Sequence, residues 1–291
     1  MKKRLVKWFR GCVWKILNFT SPALLHQASR RFSKTCSDNW RERTKRVVAC
    51  PDNAYIPRVP NAGMVLGDFQ IMHNGIKVLI GSYYGKGPSV LLEKNRGVHE
   101  PQEERMFQEV LKHVPASSVI VELGAYWAFY SLWFCKEVSG GLAYLVEPAA
   151  ENLQFGRRNF EANSLKGHFT RAFVGQRSGT AEDGTRIICV DDFVAEHQLE
   201  RIAILHSDIQ GAELEMLKGS QKTIRDGKIS YCFISTHSED LHRACERLLD
   251  EHRFVTLSSI CPSESFSVDG MLVCRAPHAP PVPFLPLSRK K

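Results

Sequence analysis

The stretch from Val119 to Ser131, Val-Ile-Val-Glu-Leu-Gly-Ala-Tyr-Trp-Ala-Phe-Tyr-Ser, decides how the rest of the chain is read. Apolar and β-branched residues run into Glu122, then Gly124, then an aromatic segment that continues through Trp133 and Phe134. This order predicts a buried strand, a tight turn and a helix start. In a doubly wound sheet such a turn faces the crevice at the carboxyl ends of the strands. There, free backbone N–H groups at a helix N-terminus can meet a nucleotide-like ligand.

Strand and helix patterns alternate downstream. Leu142 to Val146 reads as a strand ending at Glu147-Pro148, and Asn152 to Asn163 as a helix. Phe169 to Val174 predicts a strand and Gly175 to Gly184 a loop, before Ile187 to Val190 and a short helix from Asp191-Asp192. Further strands are expected at Ile202 to Leu205 and Ile229 to Ile234, with helices reaching Leu217 and spanning Asp240 to His252. Phe254 to Ser258 and Met271 to Cys274 should close the sheet as an antiparallel pair. The fold class is therefore α/β, a Rossmann-like, mostly parallel sheet with a C-terminal antiparallel hairpin.

Upstream, Phe69 to Tyr84 predicts an N-terminal β-hairpin extension. Asn74-Gly75 suits a type I′ turn, which needs positive φ at both central residues. Helix-starting acids follow in His99-Glu100-Pro101-Gln102-Glu103-Glu104. The expected organisation is a basic segment over 1–50, the hairpin extension over 51–98, the main domain over 99–276 and a proline-rich basic tail over 277–291. That tail should be extended and poorly ordered.

The net charge of +8 is concentrated in the first fifty residues and in Arg289, Lys290 and Lys291. No basic groove with interleaved aromatics accompanies it, so no nucleic-acid partner is expected. The segment from Cys12 to Leu25 is broken by Lys15, Asn18 and Pro22 and is too short to span a bilayer. Its Trp and Phe residues beside Lys and Arg suit peripheral contact with an anionic membrane surface, or packing on the chain's own domain. Nine scattered cysteines without a C-x-x-C pair point to free thiols in the cytoplasm.

Glu122 and Glu147 end successive strands about twenty-five residues apart. That spacing is where a doubly wound fold places a carboxylate for ribose hydroxyls. A pyrophosphate cofactor would call for G-x-G-x-x-G, whereas here Trp127, Ala128 and Phe129 follow the single Gly124. A cofactor without phosphates, S-adenosylmethionine, fits better than NAD.

The run Glu122-Leu-Gly-Ala with Tyr130-Ser131, then Glu147-Pro148 with Asn152 and Asn163, Val190-Asp191-Asp192-Phe193, and Asp208-Ile-Gln-Gly-Ala-Glu213 with Leu217-Lys218-Gly219 resembles the FkbM-type S-adenosylmethionine-dependent methyltransferases. The likeness spans roughly His99 to Cys274. It implies a class I methyltransferase fold and O-methylation of a sugar, glycan or natural product. It also implies that Glu122, Gly124 and Ala125, with Tyr126 and Ser131 beside them, line the methionine end of the cofactor. Glu147, flanked by Pro148 and Asn152, would hold the ribose. The chain departs from the family at Tyr126 and Ala128, where Asn and Gly are expected, and at Gln210 in place of Glu. A catalytically degenerate binding or scaffold protein is the alternative.

Asp208 and His237 follow neighbouring strands and should share the Gly124 crevice. His237 is the expected base, because a near-neutral pKa suits that task, with Asp208 as its partner; the reverse assignment is nearly as good. His206, Tyr126, Trp127 and Tyr130 read as structural. Tyr83 and Tyr84 suit hairpin packing, or stacking on a sugar ring. Nothing in the spacing of His73, His99, Asp208 and His237 is metal-like, so no metal is expected.

Overall fold

A computed structural model describes residues 38–290. Most of the basic segment, with the membrane-surface helix expected of it, lies outside the described residues. Only its end is seen, in the helix Asp38–Ala49. No helix among the described residues is long and apolar enough to cross a membrane.

The core is one seven-stranded sheet built from β1 (Val119–Leu123), β2 (Leu142–Val146), β3 (His168–Thr170), β4 (Ile202–Ser207), β5 (Ile229–Thr236), β6 (Val255–Ile260) and β7 (Gly270–Arg275). Their order across the sheet is 6-7-5-4-1-2-3. Neighbours from β5 through β3 are parallel, whereas β7 is antiparallel to both β5 and β6. This is a Rossmann-like, mostly parallel sheet with a reversed terminal hairpin, as expected. Every residue of β4 and β5 is buried, as central strands covered on both faces require. The order reverses between β1 and β4, so the crevice at the carboxyl ends opens between Leu123 and Ser207.

Three expectations are corrected. The strand expected over Phe169 to Val174 is two strands: β3 pairs with β2 only as far as Val146–Thr170, where β2 ends. The chain then crosses into a separate three-stranded sheet of Phe173–Val174, Gly179–Thr180 and Arg186–Ile188, so part of the presumed 175–184 loop is strand. The hairpin Phe69–Ile71/Lys77–Leu79 forms, but not on a type I′ turn. Gly75 has φ +82° while Asn74 is not left-handed, and Gly75 N–H donates to the Met72 carbonyl at 3.0 Å. This is a three-residue loop closed by a left-handed glycine. Asn159 on the helix Ala150–Ala162 and Asn163 at its C-cap accept the N–H groups of Leu79 and Lys77 at 2.8 and 2.9 Å, which seats the hairpin beside the Gly124 turn.

The tail is extended but docked. Val282, Leu285 and Leu287 lie against the core, and the carbonyls of Pro286 and Ser288 accept from Arg105 and Gln102 at 3.0 and 2.6 Å. Ser288 N–H donates to the buried Asp52 at 2.9 Å, and Asp52 also pairs with Arg105. Ending the chain at residue 279 should therefore cost about 2–4 kcal/mol, from lost apolar burial and a weakened buried ion pair. An unchanged urea midpoint would contradict this.

Candidate active site

Glu122, near the end of β1, accepts the N–H of Ser131 at 3.0 Å, tying the strand end to the first turn of the helix Phe129–Glu137. Burial pushes its pKa up. Gly124 has φ +77°, and a Cβ there would run into the Asp208 carbonyl oxygen, so only glycine lets the ends of β1 and β4 touch. Tyr126 and Ala128 have φ of 44° and 67°. The two departures from the family pattern thus fall at left-handed positions, where Asn and Gly are the easiest occupants; each costs on the order of 1 kcal/mol.

The Glu147 carboxylate is 4% exposed and accepts from Tyr126 N–H at 3.2 Å, Ala149 N–H at 2.9 Å and the Asn152 amide at 3.2 Å. Burial pushes its pKa up, against these three donors. Asn152 therefore orients Glu147, and Pro148 gives its carbonyl to Arg171 at 3.1 Å. Ser131 is fully buried, and its side chain does not reach the crevice.

The crevice is lined by Glu122, Gly124, Ala125, Tyr126 and Asp208 on the sheet side. Glu147 does not line it. Arg43, Tyr83 and Tyr84 form the opposite wall. Tyr84 N–H donates to the Tyr126 hydroxyl at 2.6 Å, and Tyr83 stacks on Trp127 at 4.6 Å, so the extension closes over the cofactor loop.

His237 follows β5. Its Nε2 stands 3.2 Å from Asp208 and 3.5 Å from Asp269, and its Nδ1 3.1 Å from Glu213. Burial opposes a charge on this ring, but the flanking Asp208 and Glu213 carboxylates prevail and carry its pKa up to about 11. The flanking carboxylates thus favour a proton on the ring while no cation is bound, which makes Asp208 the readier acceptor, the reverse of the preferred expectation. Asp208 accepts from the Gln210 amide at 2.7 Å, so the replacement of Glu by Gln removes a repulsion beside Asp208.

Sequence reading missed several crevice residues. Asp269, in the turn before β7, has its pKa raised to about 7 by burial, and only the Asp-Gly turn signal marked its position. Glu100 and Arg43 also face the crevice, 3.4 Å apart. Behind them, Glu104 accepts the N–H groups of His99 and Glu100 at 2.7 and 2.9 Å and pairs with both His99 and His73. His206 pairs with buried Glu103 at 2.8 Å. His73 and His99 thus join Glu104 instead of meeting Asp208 and His237.

Residues 157–256 match the family model of the methyltransferase FkbM domain. Over that stretch the chain is similar to the methyltransferase FkbM domain. The match includes Asp208, Glu213 and His237 and begins after the Gly124 turn and Glu147, whose reading rests on geometry. Among curated proteins none matches the chain. Solved structures similar to it include a methyltransferase FkbM from Methylobacillus flagellatus KT, 19% identical over 60% of this chain and 54% of that one, with TM-score 0.41. This chain thus spans about half the length of that protein. A putative SAM-dependent methyltransferase from Streptococcus mutans is 14% identical over 73% and 57%, with TM-score 0.45. TrmK of M. capricolum, in complex with S-adenosylhomocysteine, is 15% identical over 60% and 69%, with TM-score 0.39.

Glu100, Glu122, Asp208 and Asp269 line the crevice together with Arg43, His99 and His206, and its single glycine turn offers no cradle for a pyrophosphate.

Proposed function

We propose that the chain is an S-adenosylmethionine-dependent O-methyltransferase acting on a hydroxyl of a sugar, glycan or natural-product acceptor. The observation that carries this reading is the single-glycine turn at Gly124 with the Glu100, Glu122 and Asp208 carboxylates around it, which can face a sulfonium and an ammonium and leaves no cradle for a pyrophosphate. S-adenosylmethionine, when bound, supplies an activated methyl group on sulfur. Glu122, Gly124 and Ala125 would hold its amino-acid end. Glu147, oriented by Asn152, would accept from its ribose hydroxyls. Asp208 takes the acceptor's proton as the O–CH₃ bond forms, while protonated His237 fixes the Asp208 carboxylate.

The acceptor is a hydroxylated compound on this reading. Ser235 and Asp269 on the crevice wall can donate to and accept from hydroxyl groups. Calorimetry with S-adenosylhomocysteine tests the cofactor half. The intact chain should bind it, and Glu147→Ala should weaken binding by at least about tenfold, the loss of one charge-assisted hydrogen bond. Equal affinity of the two proteins would remove Glu147 from the site.

A second reading, a binding protein without turnover, is favoured by one observation: Tyr126 joins Tyr84 across the crevice mouth. It predicts no S-adenosylhomocysteine binding at all.

A further inference from the structure

Three side chains from two neighbouring strand ends meet beside the crevice. Asp208 directly follows β4, His237 directly follows β5, and Glu213 opens the helix Glu213–Lys218. One donor atom from each lies within 4.8 Å of the other two. First-row divalent ions hold carboxylate oxygens and imidazole nitrogens at about 2.0–2.2 Å, so ligand atoms on one ion stand at most about 4.4 Å apart. The cluster needs only a small contraction to close on an ion.

A second observation points the same way. Glu213 is completely buried, and its carboxylate faces the His237 ring at 3.1 Å. Its Oε1 accepts the N–H groups of Ile209 and Gly211 at 3.1 and 3.2 Å, while its Oε2 has no hydrogen-bond partner among the described residues. Both ring nitrogens of His237 also lack a partner at hydrogen-bonding angles, although carboxylates flank them. A buried carboxylate oxygen without a donor is costly unless something binds there. Here it shares its surroundings with a ring nitrogen and a second carboxylate.

We infer that Asp208, Glu213 and His237 bind a divalent cation of the Mn²⁺ type at the edge of the crevice. Two carboxylates and one imidazole suit that ion, since carboxylates favour it and imidazole is a common first-row ligand. Asp269, 3.5 Å from the ring, adds a further negative charge beside the ion. The ion's role, though not its binding, rests on the function proposed above: an open coordination position would receive an acceptor hydroxyl and hold it beside the cofactor. Binding of the ion releases the ring proton of His237 to solvent, so that one nitrogen can ligate, and the acceptor's hydroxyl proton still passes to the Asp208 oxygen that the ion leaves free.

The test is titration of Mn²⁺ into the full chain without cofactor, following free ion by its electron paramagnetic resonance signal. One ion per chain should be taken up, and Asp208→Asn and Glu213→Gln should each weaken uptake by at least about tenfold. If buried Glu213→Gln fails to fold, Asp208→Asn carries the comparison, because Asp208 is partly exposed. No uptake at millimolar ion, or undiminished uptake by Asp208→Asn, overturns the inference. S-adenosylhomocysteine calorimetry on the same sample separates the two proposals. Mn²⁺ binding without S-adenosylhomocysteine binding leaves the ion site and removes the methyltransferase, and the opposite result does the reverse.

Discussion

Asp208→Asn should lower kcat by about a hundredfold to ten-thousandfold, the span typical of a lost general base, while S-adenosylhomocysteine affinity stays within about threefold. The substitution preserves shape and removes the acidity. Asparagine can still meet the Gln210 amide, and the Leu123 carbonyl still receives the backbone N–H of residue 208 at 2.9 Å, so the Gly124 turn keeps its support. His237→Asn discriminates between the two base assignments. It should reduce kcat less than Asp208→Asn, because the imidazolium positions the carboxylate without taking the proton. The opposite ranking, measured as steady-state kcat with any accepted hydroxyl substrate, would restore His237 as the base.

Glu104→Ala should destabilise the fold by about 3–5 kcal/mol, the usual result of stripping one partner from a buried ion pair. Glu104 is 0% exposed and folds back onto the start of its own helix, Pro101–Leu111, while facing two buried histidines. Its removal leaves the His99 ring and two backbone N–H groups without their acceptor. The same cluster gives stability a pH dependence. Burial disfavours a charge on His99, but the Glu100 and Glu104 carboxylates outweigh it and raise its pKa from 6.5 to about 10. A raised histidine stabilises fully below its unfolded value and loses that contribution as pH rises through the folded one. Burial likewise opposes a charge on Glu100, yet His99 brings its pKa from 4.5 down to about 2, so its contribution is present above 4.5 and lost as pH falls through 2. Stability should therefore be highest between pH 4.5 and 6.5 and decline toward pH 10. Urea midpoints at either end of the alkaline range should differ for the wild type and differ less for His99→Asn; a wild-type midpoint independent of pH would refute the assignment.

The sheet was legible because its strands are short apolar runs ending in residues that cannot continue them: Glu122 before Gly124, Glu147 before Pro148, His237 before a capped helix. Ser238 caps that helix by accepting the Leu241 N–H at 3.2 Å. What local pattern could not give was pairing across distance. Thr170 ends β3 because its partner strand ends, a fact held by Val146 and not by the residues after Thr170. Asp208 and His237 could be placed together, since strand ends of one sheet share a crevice. Glu100, Glu104 and Asp269 read as ordinary helix-start and turn acids, and only the packing of the extension brings Arg43, His73 and His99 to them. The relative proton affinities of Asp208 and His237 were hidden for the same reason: a histidine's proton affinity is set by its neighbours, and Glu213 reaches His237 from the helix after β4.

Asp52 and Ser288 are 236 positions apart in the chain and share a 2.9 Å hydrogen bond. At ribosomal speeds of about 5–20 residues per second, their synthesis is separated by something on the order of 10–50 s. During that interval Asp52, which the finished fold seals completely from water, waits for one of its donors. The tail, made that much later, therefore completes the setting of Asp52.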